Sequence, residues 1–210
     1  MFPKPSPLSP PMFESRFIDR FSRTHFSIVA ILYVPAFIWA FWMSLNGGVG
    51  VAASAALVAG GVLSWTLFEY LAHRHLFHWH PAGKLGERMH FILHGVHHSW
   101  PRDRFRLVMP PAVSISFFFI FLALFTNTMG PYAYAFHAGY TLGYMAYDLL
   151  HYSVHHLHVD WPWLKKLRKH HLLHHSPKWG DVCKFGVSTT LWDHVFGTYD
   201  TPKAPRAGHG

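Results

Sequence analysis

The run THFSIVAILYVPAFIWAFWMSLNGGVGVAASAALVAGGVLSWTLF, Thr24 to Phe68, holds no Asp, Glu, Lys or Arg in 45 residues. A membrane-crossing helix needs about 20 apolar residues, so the run is long enough for two, and Asn46-Gly47-Gly48 breaks it near the middle. A second uncharged run, Leu107 to Tyr147, has 41 residues and breaks around Asn127 to Pro131. The sequence therefore predicts an all-α integral membrane protein with four transmembrane helices in two hairpins. The spans fall at about 25–45, 49–72, 111–127 and 131–152. The charged segments between and after them predict a cytoplasmic, histidine-rich helical cap.

Composition agrees with that reading. Only 13% of the 210 residues are charged, about half the share in a soluble domain. Cys183 is the single cysteine, so no internal disulfide can form. The net charge of +8 would suit nucleic acid, but its distribution does not. All 18 Lys and Arg lie in three segments, before Thr24, from Arg74 to Arg106, and from Lys165 onward. The positive-inside rule then places both termini and the middle segment in the cytoplasm, and no nucleic-acid partner is expected. Five prolines in the first eleven residues predict a disordered tail over 1–11 and exclude a signal-peptide core. Phe13, Phe17, Ile18 and Phe21 against Glu14, Arg16, Asp19, Arg20 and Arg23 predict an interfacial amphipathic helix over 12–23. The main domain is expected over 24–200, with a tail from 201 to 210.

Histidine is the outlying residue: 20 copies against ten acids. Four clusters stand out, namely His73 with His78, His94 with His97 and His98, His151 with His155, and His171 with His174 and His175. Residues three and four apart share a helix face, so three of the clusters each present their imidazoles together. The five-residue step from His73 to His78 predicts a helix end that bends or loosens. All four clusters lie at the same expected membrane boundary. Ten imidazoles exceed one tetrahedral zinc site and suit two metals with five nitrogens each. His90, four residues before His94, is a further ligand or supporting residue. Glu69 and Asp148, four and three residues before His73 and His151, are expected to accept the second ring N–H of ligand histidines; the alternative for each is an ion pair with Arg74 or Arg102. His75, His156 and His170 adjoin cluster members, and His137 is expected to be a hydrogen-bonded interior residue.

Four stretches carry a family resemblance: Glu69-Tyr70-Leu71-Ala72-His73-Arg74, HGVHHSWPRDRFRLVMPP (His94–Pro111), GYMAYDLLHYSVHH (Gly143–His156), and Leu191-Trp192-Asp193 with Phe196-Gly197-Thr198. Together they resemble the integral-membrane fatty acid hydroxylase superfamily over about residues 60–200, and within it the fatty acid 2-hydroxylases. The resemblance implies a non-haem di-iron centre held by His73, His78, His94, His97, His98, His151, His155, His171, His174 and His175. It implies an O2-dependent hydroxylation of a lipid acyl chain at C2, with zinc able to replace iron in purified protein. Eukaryotic 2-hydroxylases often carry an N-terminal cytochrome b5 domain. None precedes Phe13, so a separate electron donor is expected, a ferredoxin or a cytochrome b5 with its reductase. Sterol desaturases or oxidases and carotenoid hydroxylases of the same superfamily are the alternatives. A metal-binding or transport protein is an alternative of another class, but transport sites favour the bilayer midplane and these histidines lie at span ends.

Overall fold

The computed structural model describes residues 8–201, and these contain helices and connecting loops only. The Ser15 hydroxyl accepts from the Ile18 N–H and starts α1, Arg16–Phe21. The first uncharged run folds into α2, Ser27–Asn46, and α3, Val51–Ala72. Gly48 turns the chain between them at φ +81°, and the Ser44 and Ser54 hydroxyls meet at 3.0 Å across the turn. A π-helical turn, His73–Phe77, extends α3. Then follow α4, Gly83–His90, a second π-helical turn, Phe91–Gly95, and α5, Val96–Ser99. The second uncharged run forms α6, Pro111–Met129, and α7, Ala133–His156, joined by a 3-10 turn at Gly130–Tyr132. The ring pairs Phe118–His137 and Phe125–Phe136 make α6 and α7 antiparallel. The chain continues into α8, Pro162–His174, and α9, Leu191–Val195.

Among the described residues, three stretches are long and apolar enough to cross a membrane: Ser27–Asn46, Val51–Phe77 and Pro111–His156, the last folded back at Gly130. Ile31, Ile38 and Trp42 on α2 and Phe119, Ile120 and Leu124 on α6 are exposed, a surface that suits hydrocarbon rather than water. The chain is an integral membrane protein. α7 runs four residues past the expected end of its span, because its last turn carries His155 and Val154 against α8 rather than leaving the fold.

Helix α7 is the most buried element, and α3 packs closely along it. A Cβ at Gly139 would lie 2.0 Å from the Val58 carbonyl oxygen, and one at Gly61 would lie 2.1 Å from that of Phe136. Only glycine allows this backbone approach, which matches the small-residue contacts of helices packed in lipid. Trp65, Tyr140, Tyr144 and Tyr147 fill the seam beside Val29 and Tyr33 of α2.

The N-terminal segment departs from expectation. Residues 1–7 of the expected tail lie outside the described residues, but Ser9 and Met12 are buried. The Ser9 N–H and hydroxyl both donate to Asp103, and the Met12 N–H donates to Asp19. Arg23 and Arg106 bind both carboxylates. Order here comes from buried ion pairs that the proline count does not register. Phe17, Ile18 and Phe21 of α1 stay exposed beside this network.

Candidate metal centre

The ten clustered histidines converge in two groups. His73, His78, His94, His98 and His174 form one; His97, His151, His155, His171 and His175 form the other. Within each group, one ligand-capable atom per residue lies within 4.8 Å of all the others. Helix spacing brings the histidines to one region but divides them otherwise than by cluster. His97 parts from His94 and His98, and His174 parts from His171 and His175. The His73–His78 pair works because the chain there forms a π turn, whose i to i+5 repeat closes with the His78 N–H on the His73 carbonyl. Their Nε2 atoms consequently lie 3.3 Å apart.

The nitrogen contacts favour a cation over hydrogen bonds. His171 Nε2 is 3.0 Å from that of His151, 2.9 Å from that of His155 and 3.0 Å from that of His175. A ring nitrogen offers either one proton or one lone pair, so three such contacts cannot all be hydrogen bonds. Two nitrogens each about 2.1 Å from one ion and about 90° apart would lie about 3.0 Å from each other. Burial also keeps the imidazoles unprotonated and their lone pairs free. It drives His94, His97 and His171 well below the usual histidine range, and pushes His98 and His174 down to about 3. Neighbouring imidazoles push in the same direction. The donor set therefore fits two metal ions, each bound by nitrogen.

The two groups differ in what holds their outer nitrogens. His73 Nδ1 meets the Phe185 carbonyl at 2.5 Å, His174 Nδ1 meets that of Cys183 at 3.1 Å, and His78 Nδ1 meets Asp181 at 2.7 Å. In the second group, the buried Nδ1 atoms of His97, His151, His171 and His175 have no partner among the described residues.

Glu69 and Asp148 do not touch ligand histidines, which corrects the role expected of them. Glu69 accepts from the Val187 N–H at 2.8 Å, the Ser188 N–H at 2.7 Å and the Ser188 hydroxyl. Asp148 accepts from the Tyr144 hydroxyl at 2.7 Å and the Met109 N–H at 3.2 Å. Neither pairs with Arg74 or Arg102. A shared helix face gave each acid a route to histidine, but nearer donors from other segments occupy the carboxylates. Glu69 acts at one remove, holding the loop that presents the Phe185 carbonyl to His73. Asp193 ties the same loop, accepting from the Phe185 and Gly186 N–H groups and pairing with His170. No helical spacing links Asp181 to His78, so the sequence alone does not mark it as a partner, and the motif around Asp193 does not specify that residue's role. His90 lies outside both groups, its ring 4.0 Å from that of His80.

Below the histidines, among α2, α3, α6 and α7, lies a narrow apolar chamber with a cavity volume of about 60 Å³. Its upper end reaches both groups: Phe77 stacks on His94 at 5.3 Å, and Tyr147 faces His151 at 5.7 Å. The far end is lined by Phe118, Phe121 and His137. Phe77 and Tyr147 are thus the wall between this apolar chamber and the paired nitrogen centre, so a hydrocarbon chain in the chamber would lie beside the histidines with water excluded.

Residues 57–198 match the fatty acid hydroxylase family model. The chain is 36% identical over 201 residues to dihydroceramide fatty acyl 2-hydroxylase FAH1 of Arabidopsis thaliana, covering 94% of this chain and 83% of that protein. It is 37% identical over 201 residues to ceramide very long chain fatty acid hydroxylase SCS7 of Saccharomyces cerevisiae, covering 94% and 51%. With fatty acid 2-hydroxylase of Rattus norvegicus it shares 36% over 216 residues, covering 89% and 56%. The chain thus spans about half the length of the yeast and rat proteins. A solved structure of full-length scs7p, in which only the hydroxylase domain is visible, superposes with a TM-score of 0.83 at 36% identity. That match covers 90% of this chain and 72% of that one.

Proposed function

We propose, from the premise that the chain belongs to the fatty acid hydroxylase family, that it hydroxylates C2 of a fatty acyl chain on a membrane lipid or free fatty acid. It is an oxidoreductase of the fatty acid hydroxylase type, and its named relatives are a dihydroceramide fatty acyl 2-hydroxylase, a ceramide very long chain fatty acid hydroxylase and a fatty acid 2-hydroxylase. The observation that carries the reading is the apolar chamber ending against both five-histidine groups. His73, His78, His94, His98 and His174 would hold one iron, and His97, His151, His155, His171 and His175 the other. When bound, the iron pair supplies the O2-derived oxidant that an unactivated C–H bond requires and that side chains lack; zinc fits the same nitrogens in purified protein.

The chain's own residues account for the rest. Phe77 and Tyr147 border the upper chamber and exclude water where the acyl chain meets the histidines. Asp181 and the Phe185 and Cys183 carbonyls orient the first group, fixing which ring nitrogen faces inward. The balance RH + O2 + 2e− + 2H+ → ROH + H2O needs two electrons from outside the chain, so the reading includes a separate redox partner. The four long helices cross the bilayer as two hairpins, and basic residues keep both termini and the histidine cap in the cytoplasm. The layout is an interfacial segment over 12–23 and a hydroxylase domain over 24–200.

Lipid mass spectrometry after expression tests the proposal, wild type against His97→Ala. Wild type should yield acyl products heavier by one oxygen, located at C2 by fragmentation, and the variant should yield none. A new double bond, or oxygen on a sterol or carotenoid, would move the activity elsewhere in the superfamily. Equal lipid profiles with and without the gene under every electron donor would overturn it.

A further inference from the structure

The far end of the chamber is more polar than a hydrocarbon chain requires. His137 and Thr141 line it, one turn apart on the same face of α7. Their relative exposures are 1% and 3%. Neither ring nitrogen of His137 nor the Thr141 hydroxyl has a hydrogen-bond partner among the described residues, and the Trp65 Nε1, from the α3 side of the chamber, is equally unpaired. Thr141 is informative because hydroxyls on these helices ordinarily turn back on themselves. Ser116, Thr126, Thr128 and Ser153 each donate to the carbonyl four residues earlier. Thr141 forgoes that bond. A buried donor or acceptor left unpaired is costly, more so when methyl groups cover it, so these atoms call for a polar partner.

We propose that His137 and Thr141 form a hydrogen-bonding subsite for a hydroxyl carried near the far end of the lipid chain in the chamber. A neutral imidazole has one N–H donor and one bare acceptor, and a threonine hydroxyl both donates and accepts. A ligand hydroxyl does both, so it satisfies this pair without introducing charge. His137 lies fourteen residues before His151 on one helix, about 21 Å along its axis. A chain entering from the histidine end must therefore extend about 21 Å before its terminus meets His137; a shorter chain falls short and a longer one carries its end past. The subsite therefore selects by chain length and end group together. This inference rests on the chamber being the acyl site.

Binding measured without turnover separates the two ideas. The full chain in detergent is loaded with a fluorescent acyl lipid, which is displaced by lysophosphatidylcholines of graded chain length, methyl-ended or ω-hydroxylated. Their bulky headgroups keep the chain end foremost in the chamber. At the length that reaches His137, the hydroxyl-ended series should displace the probe from wild type about tenfold better than the methyl-ended series. His137→Phe, which keeps the ring and removes its polar atoms, should abolish or reverse the preference, and His137→Gln should restore part of it. Thr141→Val should weaken it should the histidine variants fail to fold, as judged by thermal melting. Equal displacement by the two series at every length, a preference that survives His137→Phe, or one that Thr141→Val leaves undiminished overturns the subsite. A probe that no chain displaces from wild type overturns the acyl chamber itself, and the subsite with it.

Discussion

The carboxylates show how far side-chain identity carries. Each buried acid takes the nearest donors that the fold supplies: Glu69 the 187–188 backbone, Asp148 Tyr144 and Met109, and Asp103 Ser9 with Arg23. At Asp103, burial alone would raise the carboxyl, but the Ser9 hydroxyl and N–H, the Phe105 N–H and the Arg23 charge together hold it below the usual carboxylate range. A depressed folded-state value means stabilisation that is complete above about pH 4 and lost as pH falls through the folded value. Asp103→Asn should therefore lower stability by about 1–3 kcal/mol near neutrality. Thermal unfolding in detergent from pH 7 to pH 3 should show the gap to wild type constant at first and narrowing only below about pH 4. A gap that closes between pH 7 and 5 would assign the effect to another group.

Among the elements, the α3–α7 contact and the π turns decide where the histidines stand. Gly139 meets the Val58 backbone so closely that even one methyl group must push the helices apart. At Gly60, a Cβ would make ordinary contact at 3.7 Å with the Phe136 ring. Gly139→Ala should cost about 1–3 kcal/mol and reduce bound metal, because α3 carries His73 and α7 carries His151. Gly60→Ala should be neutral or slightly stabilising, since alanine is the better helix former. Melting temperature and metal content of the two variants, measured side by side, check the pair. The π turn at His73–Phe77 was legible only as an awkward spacing. Five residues place two histidines apart on an α-helix, and the register that reunites them is adopted because the fold brings the rest of the group to meet them.

For the whole molecule, the two groups should not release metal alike. In the first, three histidines have their outer nitrogens fixed by Phe185, Cys183 and Asp181. In the second, four outer nitrogens are unpaired among the described residues. Such outer partners are worth about 10–100-fold in metal affinity. Graded chelation of the metal-loaded protein should show a plateau near one ion per chain, read by elemental mass spectrometry. Asp181→Asn should shorten that plateau, and a single-step loss in wild type would remove the distinction between the groups.

The helical membrane character, the positions of the long helices and the ten histidines that gather are all legible in the amino-acid order, because hydrophobic runs and i, i+3, i+4 spacing are local properties. The tertiary structure decided how the ten divide, since His94, His97 and His98 share one short segment yet serve two groups. It also decided the partners of Glu69, Asp148, Asp181 and Asp193, and the burial of Ser9. Those contacts join residues far apart in the chain, some more than a hundred positions, and no periodicity encodes a distance set by how helices pack.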